Sequence, residues 1–187
     1  MADPLLRPVT PFGRAEPLAL AIGPVAIAEV VDVALASLAA RRGRGAELRE
    51  AAGRIGLPLP PPGRFAGGDT YGAFWMGVDQ WMVEAPLATH EDVAAALKPA
   101  LGDAASITEQ TEGWARLDLA GPLRPLLERL CDLDLDAFAP GSATRTLVEH
   151  LGVHAIRRAE DRMTLYGVRS SAASLLHAVE AAARSAF

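Results

Sequence analysis

Residues 114–119, WARLDL, alternate strictly between apolar and polar. In an extended chain this puts Ala115, Leu117 and Leu119 on one face and Arg116 and Asp118 on the other, a half-buried strand. Residues 89–102, THEDVAAALKPALG, carry the clearest helical signal in the chain. Thr89 serves as N-cap, Asp92 stands at the third helical position in a capping-box arrangement, and Gly102 ends the helix. Over 121–133, GPLRPLLERLCDL opens a second helix with Gly121 as cap and Pro122 at its first position. TRTLVEHLGVHAIRR (144–158) and RMTLYGVR (162–169) pair as strands around a turn at Ala159–Asp161. SSAASLLHAVEAAAR (170–184) closes the chain as a helix with Leu175, Leu176 and Val179 on its inner face.

The earlier half is less regular. From 18 to 57, alanine and leucine favour helix, but Val30, Val31 and Val33 favour strand and no i, i+3, i+4 stripe settles in the middle. This predicts short strands around 24–40 and a helix only at 46–55. Residues 57–69, LPLPPPGRFAGGD, read as a surface connector. FWMGVDQWMVEAP (74–86) reads as a hairpin that packs two of the chain's three tryptophans into seven positions. With a two-residue loop, Trp75 and Trp81 face opposite sides of the sheet; with three residues they share a face. Trp81 aligns with Val83 and Ala85 against Met82 and Glu84, so it belongs to the core, whereas Trp75 fits either the core or an interface anchor. Residues 1–16, with Pro4, Pro8 and Pro11, form an extended arm. Residues 17–187 are expected to form one α+β domain of two similar lobes, about 17–102 and 103–187, each an antiparallel sheet with helices packed on one side.

Composition narrows the partners. A length of 187 residues suffices for a proper core, and a formal charge of −5 repels phosphate backbones, which argues against nucleic acid. The lone Cys131 cannot form an internal disulfide and suits a reducing compartment. The apolar run at 17–28 is interrupted by Pro24 and too short to span a bilayer, and it matches a secretory leader poorly. A cytoplasmic protein without membrane association is expected. Half of the residues are apolar and the mean hydropathy is +0.17, an excess that points to surface covered by a partner protein.

Candidate chemistry is thin. His150 and His154 are four apart, but Gly152 and the neighbouring valine place them in a strand without a third ligand nearby, so they are expected on a solvated sheet face. Asp132, Asp134 and Asp136 imitate the start of a calcium loop, but Ala137 and Ala143 stand where glycine and glutamate are needed. Arg41, Arg42 and Arg44, with Gly43 and Gly45, form a weak candidate for anion binding ahead of a helix. Cys131 sits among helix leucines, His90 and His177 fall on polar helix faces, and no Gly-x-Ser-x-Gly elbow exists. No catalytic, cofactor-binding or metal residue is therefore expected on this chain.

WMGVDQWMVEAP (75–86), TEQTEGWARLDLAGPLRPLLERLCDLDL (108–135) and TRTLVEH (144–150), in this order, resemble the gamma subunit of heterotetrameric sarcosine oxidase. IAEV and ALASLAARRG in the earlier half match more loosely. The resemblance implies a fold similar to the folate-binding aminomethyltransferase of glycine cleavage. It also implies a place in an alpha-beta-gamma-delta heterotetramer that oxidatively demethylates sarcosine to glycine, with oxygen as acceptor and the one-carbon unit passed to tetrahydrofolate. FAD, FMN, NAD and tetrahydrofolate would belong to the alpha and beta subunits and zinc to delta, while gamma would pack on alpha without catalytic residues. A second reading is a stand-alone folate-fold protein that binds a pterin or moves a one-carbon unit, for which Asp69, Asp79 and Glu84 flank the tryptophans. The Lys-Gly-Cys-Tyr signature of the related iron–sulfur maintenance proteins is absent, since Arg129, Leu130 and Asp132 surround Cys131.

Overall fold

The computed structural model describes residues 7–187; the first six residues of the expected arm lie outside the described residues. The rest of the arm is folded back rather than extended, with Thr10 N–H donating to the Arg14 carbonyl (2.8 Å) and Phe12 resting on the core. The chain then runs as β1 (Ala19–Ile22), β2 (Val25–Val30), β3 (Val33–Ala40), α1 (Gly45–Arg54), β4 (Phe65–Gly67), β5 (Gly72–Gly77) and β6 (Gln80–Pro86). It continues through α2 (Val93–Leu101), β7 (Ala105–Glu109), β8 (Trp114–Ala120) and α3 (Leu123–Leu130). β9 (Ala143–Val148), β10 (Leu151–Ala159), β11 (Arg162–Val168) and α4 (Ala172–Ala186) complete it. The strands expected around 24–40 and the helix at 46–55 are present as β2, β3 and α1.

All pairings are antiparallel and form two sheets, ordered β1-β2-β8-β11-β10-β9 and β4-β5-β6-β3-β7. A break near residue 102 does not separate them. The β1–β2 pair joins the later strands through β2, which pairs with β8, and β7 returns to pair with β3. The sheets also meet at a corner where Arg64 bridges Ser142. Helices cover one face of each sheet: Leu126, Leu127, Leu175 and Val179 of α3 and α4 pack on Leu117, Leu119, Val153 and Leu165. Leu48 of α1 and Val93 and Leu97 of α2 pack on Leu38, Trp81 and Val83. The two remaining sheet faces pack on each other through Leu35, Phe74, Met82, Ile156 and Tyr166. The result is an α+β molecule of four layers, helices outside and sheets inside.

Local details refine the sequence reading. Asp92 is itself the N-cap of α2, its carboxylate accepting from Ala95 N–H at 2.8 Å, while Thr89 lies outside the helix. α3 begins at Leu123 after Pro122, and Cys131 stands just past its last residue. TRTLVEHLGVHAIRR is two strands rather than one, because Glu149 (φ 53°) turns the chain between β9 and β10. The connector at 57–69 contains the edge strand β4 and buries Leu57 and Pro60.

Candidate functional site

The hairpin first. Gly77 pairs with Gln80, so the loop holds two residues, Val78 and Asp79, which alone would set the tryptophans on opposite faces. A bulge at Met76 shifts the register by one, and Trp75 pairs directly with Trp81 on the helix-covered face. Trp81 is core, and its indole N–H donates to the Pro60 carbonyl at 2.8 Å. Trp75 packs at the edge of the same cluster and is half-buried. Met82 and Glu84, on the opposite face, are buried as well, because that face meets the second sheet.

Glu84 is the entry to the polar centre of the molecule. It extends from β6 toward β8, β10 and β11, and although only 8% exposed it is well supplied with donors. Arg158 donates to both of its oxygens at 2.6 and 3.1 Å, and the Tyr166 hydroxyl donates to Oε1 at 2.8 Å. Arg158 Nε also donates to Thr164 Oγ1 (3.0 Å), which in turn donates to Asp118 (2.7 Å). Asp118 accepts two hydrogen bonds from Arg116, each 2.8 Å, and Arg116 Nη1 donates to the Tyr166 hydroxyl at 3.3 Å. The six residues close into a ring across the sheet interface, with two carboxylates matched to two guanidiniums.

Register explains how the strands assemble it. Arg116 lies opposite Tyr166 and Asp118 opposite Thr164 in the β8–β11 pairing, so alternation places all four on the face turned to the second sheet. Aromatic rings surround the polar groups. Phe74 stacks on Tyr166 with ring centroids 5.5 Å apart, and the Arg158 guanidinium sits 4.1 Å above the Phe65 ring centre. Burial and the Glu84 charge push the Tyr166 hydroxyl well above its ordinary range, so it stays protonated. Burial alone disfavours the Arg116 charge, but the Asp118 hydrogen bond and the Asp118 and Glu84 charges outweigh it and raise its pKa. Such a ring joins the two sheets; proton transfer by either carboxylate would first have to break an ion pair.

Two cavities reach the ring. One, of about 330 Å³, is bounded by residues 8–17 of the arm on one side and by Val33, Leu35, Trp114, Arg116 and Tyr166 on the other. The second, of about 350 Å³, opens beside Glu84, Phe65 and Tyr71. The charged side chains at the first cavity are already paired, Arg116 with Asp118 and Arg169 with Glu112.

The residues singled out from sequence fall as follows. His154 is not on a solvated face: it is 6% exposed between Phe74 and Trp114, because β10 turns it toward the other sheet. Its Nδ1 has no hydrogen-bond partner among the described residues, and burial together with Arg145 lowers its pKa to about 4. His150 stands exposed in the β9–β10 turn. Among the described residues, no cluster of three or more His, Cys, Asp or Glu could hold a metal ion. Asp132 accepts from Thr146 (2.9 Å), Asp134 accepts from the Asp136 and Ala137 N–H groups, and Asp136 pairs with Arg124. Arg44 is clasped by Glu47 (2.6 Å) and Arg41 by Asp103 (3.2 Å), so two arginines of the candidate anion turn already hold carboxylates. Cys131 is half-buried, and burial raises its pKa. His90 precedes α2 rather than lying on it and contacts Tyr71 and Thr89, while His177 is exposed on α4. Asp69 and Asp79 lie exposed on either side of β5 and do not join Glu84 in the ring. The sequence marks Arg116 and Asp118 only as the polar face of a strand, and nothing in it joins them to Arg158, Thr164 and Tyr166. Their signal was the polar positions of three strands that later pair in register.

No helix among the described residues is long and apolar enough to cross a membrane. No protein-family model and no curated protein matches the sequence. Solved structures do match. Heterotetrameric sarcosine oxidase from Corynebacterium sp. U-96, in complex with pyrrole 2-carboxylate, is similar with a TM-score of 0.74 at 23% identity, covering 89% of this chain and 87% of that one. The glycine cleavage system aminomethyltransferase T from Bartonella henselae is similar with a TM-score of 0.60 at 13% identity, covering 83% of this chain. The chain spans about half of that protein, 48% of its length. At these identities the likeness is one of fold, and the fold of this chain is the α+β fold found in heterotetrameric sarcosine oxidase and in aminomethyltransferase T.

Proposed function

We propose that this chain is the gamma subunit of a heterotetrameric sarcosine oxidase, packing on the alpha subunit and supporting oxidative demethylation of sarcosine without catalytic residues of its own. The observation that carries this reading is the end-to-end fit: one chain of a sarcosine oxidase is covered over 87% of its length, against 48% of aminomethyltransferase T. The ordered motifs from Trp75 to His150 and the apolar excess of the sequence agree with it. In this reading FAD, FMN, NAD, tetrahydrofolate and zinc are held by partner subunits. The pairing of Arg116 and Arg169 with carboxylates supports that placement, since neither cavity arginine is left for the phosphates of a dinucleotide. The isolated chain is expected to be colourless, and a stoichiometric flavin spectrum on it would overturn this part of the reading.

The inter-sheet cavity favours a second reading. Val33, Leu35 and Trp114 offer an apolar wall to a pterin-like ring. Titration calorimetry of the lone chain with tetrahydrofolate separates the two: no binding heat is expected of the subunit, and saturable binding would favour a stand-alone folate-fold protein.

A further inference from the structure

Residues 8–17 bound the cavity of about 330 Å³ that leads to the polar ring, yet they are held at few points. The main one is Glu29 of β2, a buried carboxylate that joins neither the ring nor any ion pair among the described residues. It accepts from two backbone amides of the arm, Phe12 N–H at 3.2 Å and Leu18 N–H at 2.9 Å. A buried acid committed to main-chain donors fixes a segment's position more than it fills space. Ahead of Phe12, Arg169 donates to the Val9 carbonyl at 3.4 Å while pairing with Glu112. Pro8, Pro11 and Pro17, beside and between these attachments, stiffen the segment, and Val9 remains 55% exposed. Few buried contacts and a small number of polar attachments are the features of a segment that opens without global unfolding.

We propose that residues 8–17 are a strap closed over the inter-sheet cavity and latched by Glu29, so that releasing the latch opens the way to Arg116 and Tyr166. The inference concerns this chain's own cavity and does not depend on the subunit reading. The strap offers a direct probe. Arg7 precedes proline, so Arg14 is the one site within the strap that trypsin can cut, and Trp114 lies in the cavity wall. The chain and its E29Q and R169A variants are compared by tryptic cleavage after Arg14 and by acrylamide quenching of tryptophan fluorescence. Glu29→Gln replaces one acceptor oxygen by an NH2 group that cannot accept, and about a tenfold faster cleavage is expected, together with stronger quenching. Arg169→Ala, which leaves Glu29 intact, is expected to raise the quenching with a smaller change at Arg14. Wild-type cleavage and quenching in E29Q would overturn the latch, and faster cleavage with unchanged quenching would overturn the strap as a gate. If E29Q does not fold, the wild-type chain decides: cleavage after Arg14 is expected well ahead of global unfolding, and cleavage there no faster than global unfolding overturns the proposal.

Discussion

Replacing Glu84 by alanine should be among the most damaging single changes in the chain. The substitution removes three hydrogen bonds, two from Arg158 at 2.6 and 3.1 Å and one from Tyr166 at 2.8 Å. It leaves the Arg158 guanidinium, with a side chain 18% exposed, facing Phe65 and Thr164 and no carboxylate. Removing one partner of a buried ion pair costs about 3–5 kcal/mol, chiefly because the surviving charge stays desolvated. Urea unfolding read by linear extrapolation should therefore show Glu84→Ala losing about 3 kcal/mol or more. Arg158→Met should lose a similar amount, since Glu84 then keeps only Tyr166. The double variant Glu84→Ala/Arg158→Met leaves no unmatched charge at this point and should cost clearly less than the sum, with a coupling energy of at least about 2 kcal/mol. A Glu84→Ala loss below about 1 kcal/mol, or single losses that simply add in the double variant, would show that the ring does not hold the sheets together.

Three further outcomes follow from named contacts. His154 binds its proton less readily folded (pKa about 4) than unfolded (6.5), so its contribution is full above pH 6.5 and is lost as pH falls toward 4. The loss is about 3 kcal/mol by acid titration of stability, and His154→Phe should remove that part of the slope. Gly121→Ala should cost about 2–4 kcal/mol in thermal or urea unfolding, because φ is 127° and the new Cβ would meet the Pro24 carbonyl oxygen at 2.5 Å. Trp81→Phe, which strands the Pro60 carbonyl, should cost about 2 kcal/mol, whereas Val78→Ser at the 84% exposed tip should stay within about 0.5 kcal/mol.

Period-two alternation made much of this fold legible. WARLDL gave β8 and its buried face because apolar and polar residues alternate without exception. Strand propensity around Val30 and Val33 overrode alanine's helical vote in β2 and β3, and in β3 the small Ala34 and Ala36 pack into the cluster beneath α1 and α2. What stayed hidden depends on which layer a polar face meets. Arg116, Asp118 and His154 look like solvent-facing residues in one dimension, and only the second sheet buries His154 and half-buries Arg116 and Asp118. The bulge at Met76 was equally invisible, since a single unpaired residue leaves no compositional trace yet reverses the relation of Trp75 to Trp81. The crossing of β1, β2 and β7 between sheets is likewise set by long-range pairing rather than by any local pattern.

The subunit reading is tested most directly by purifying the tagged chain from its own cells and measuring the visible absorption of what comes with it, with and without sarcosine. A heterotetrameric sarcosine oxidase predicts larger chains in equal stoichiometry, flavin absorbance, and bleaching of that absorbance by sarcosine under anaerobic conditions. A chain that purifies alone, without flavin, would contradict it.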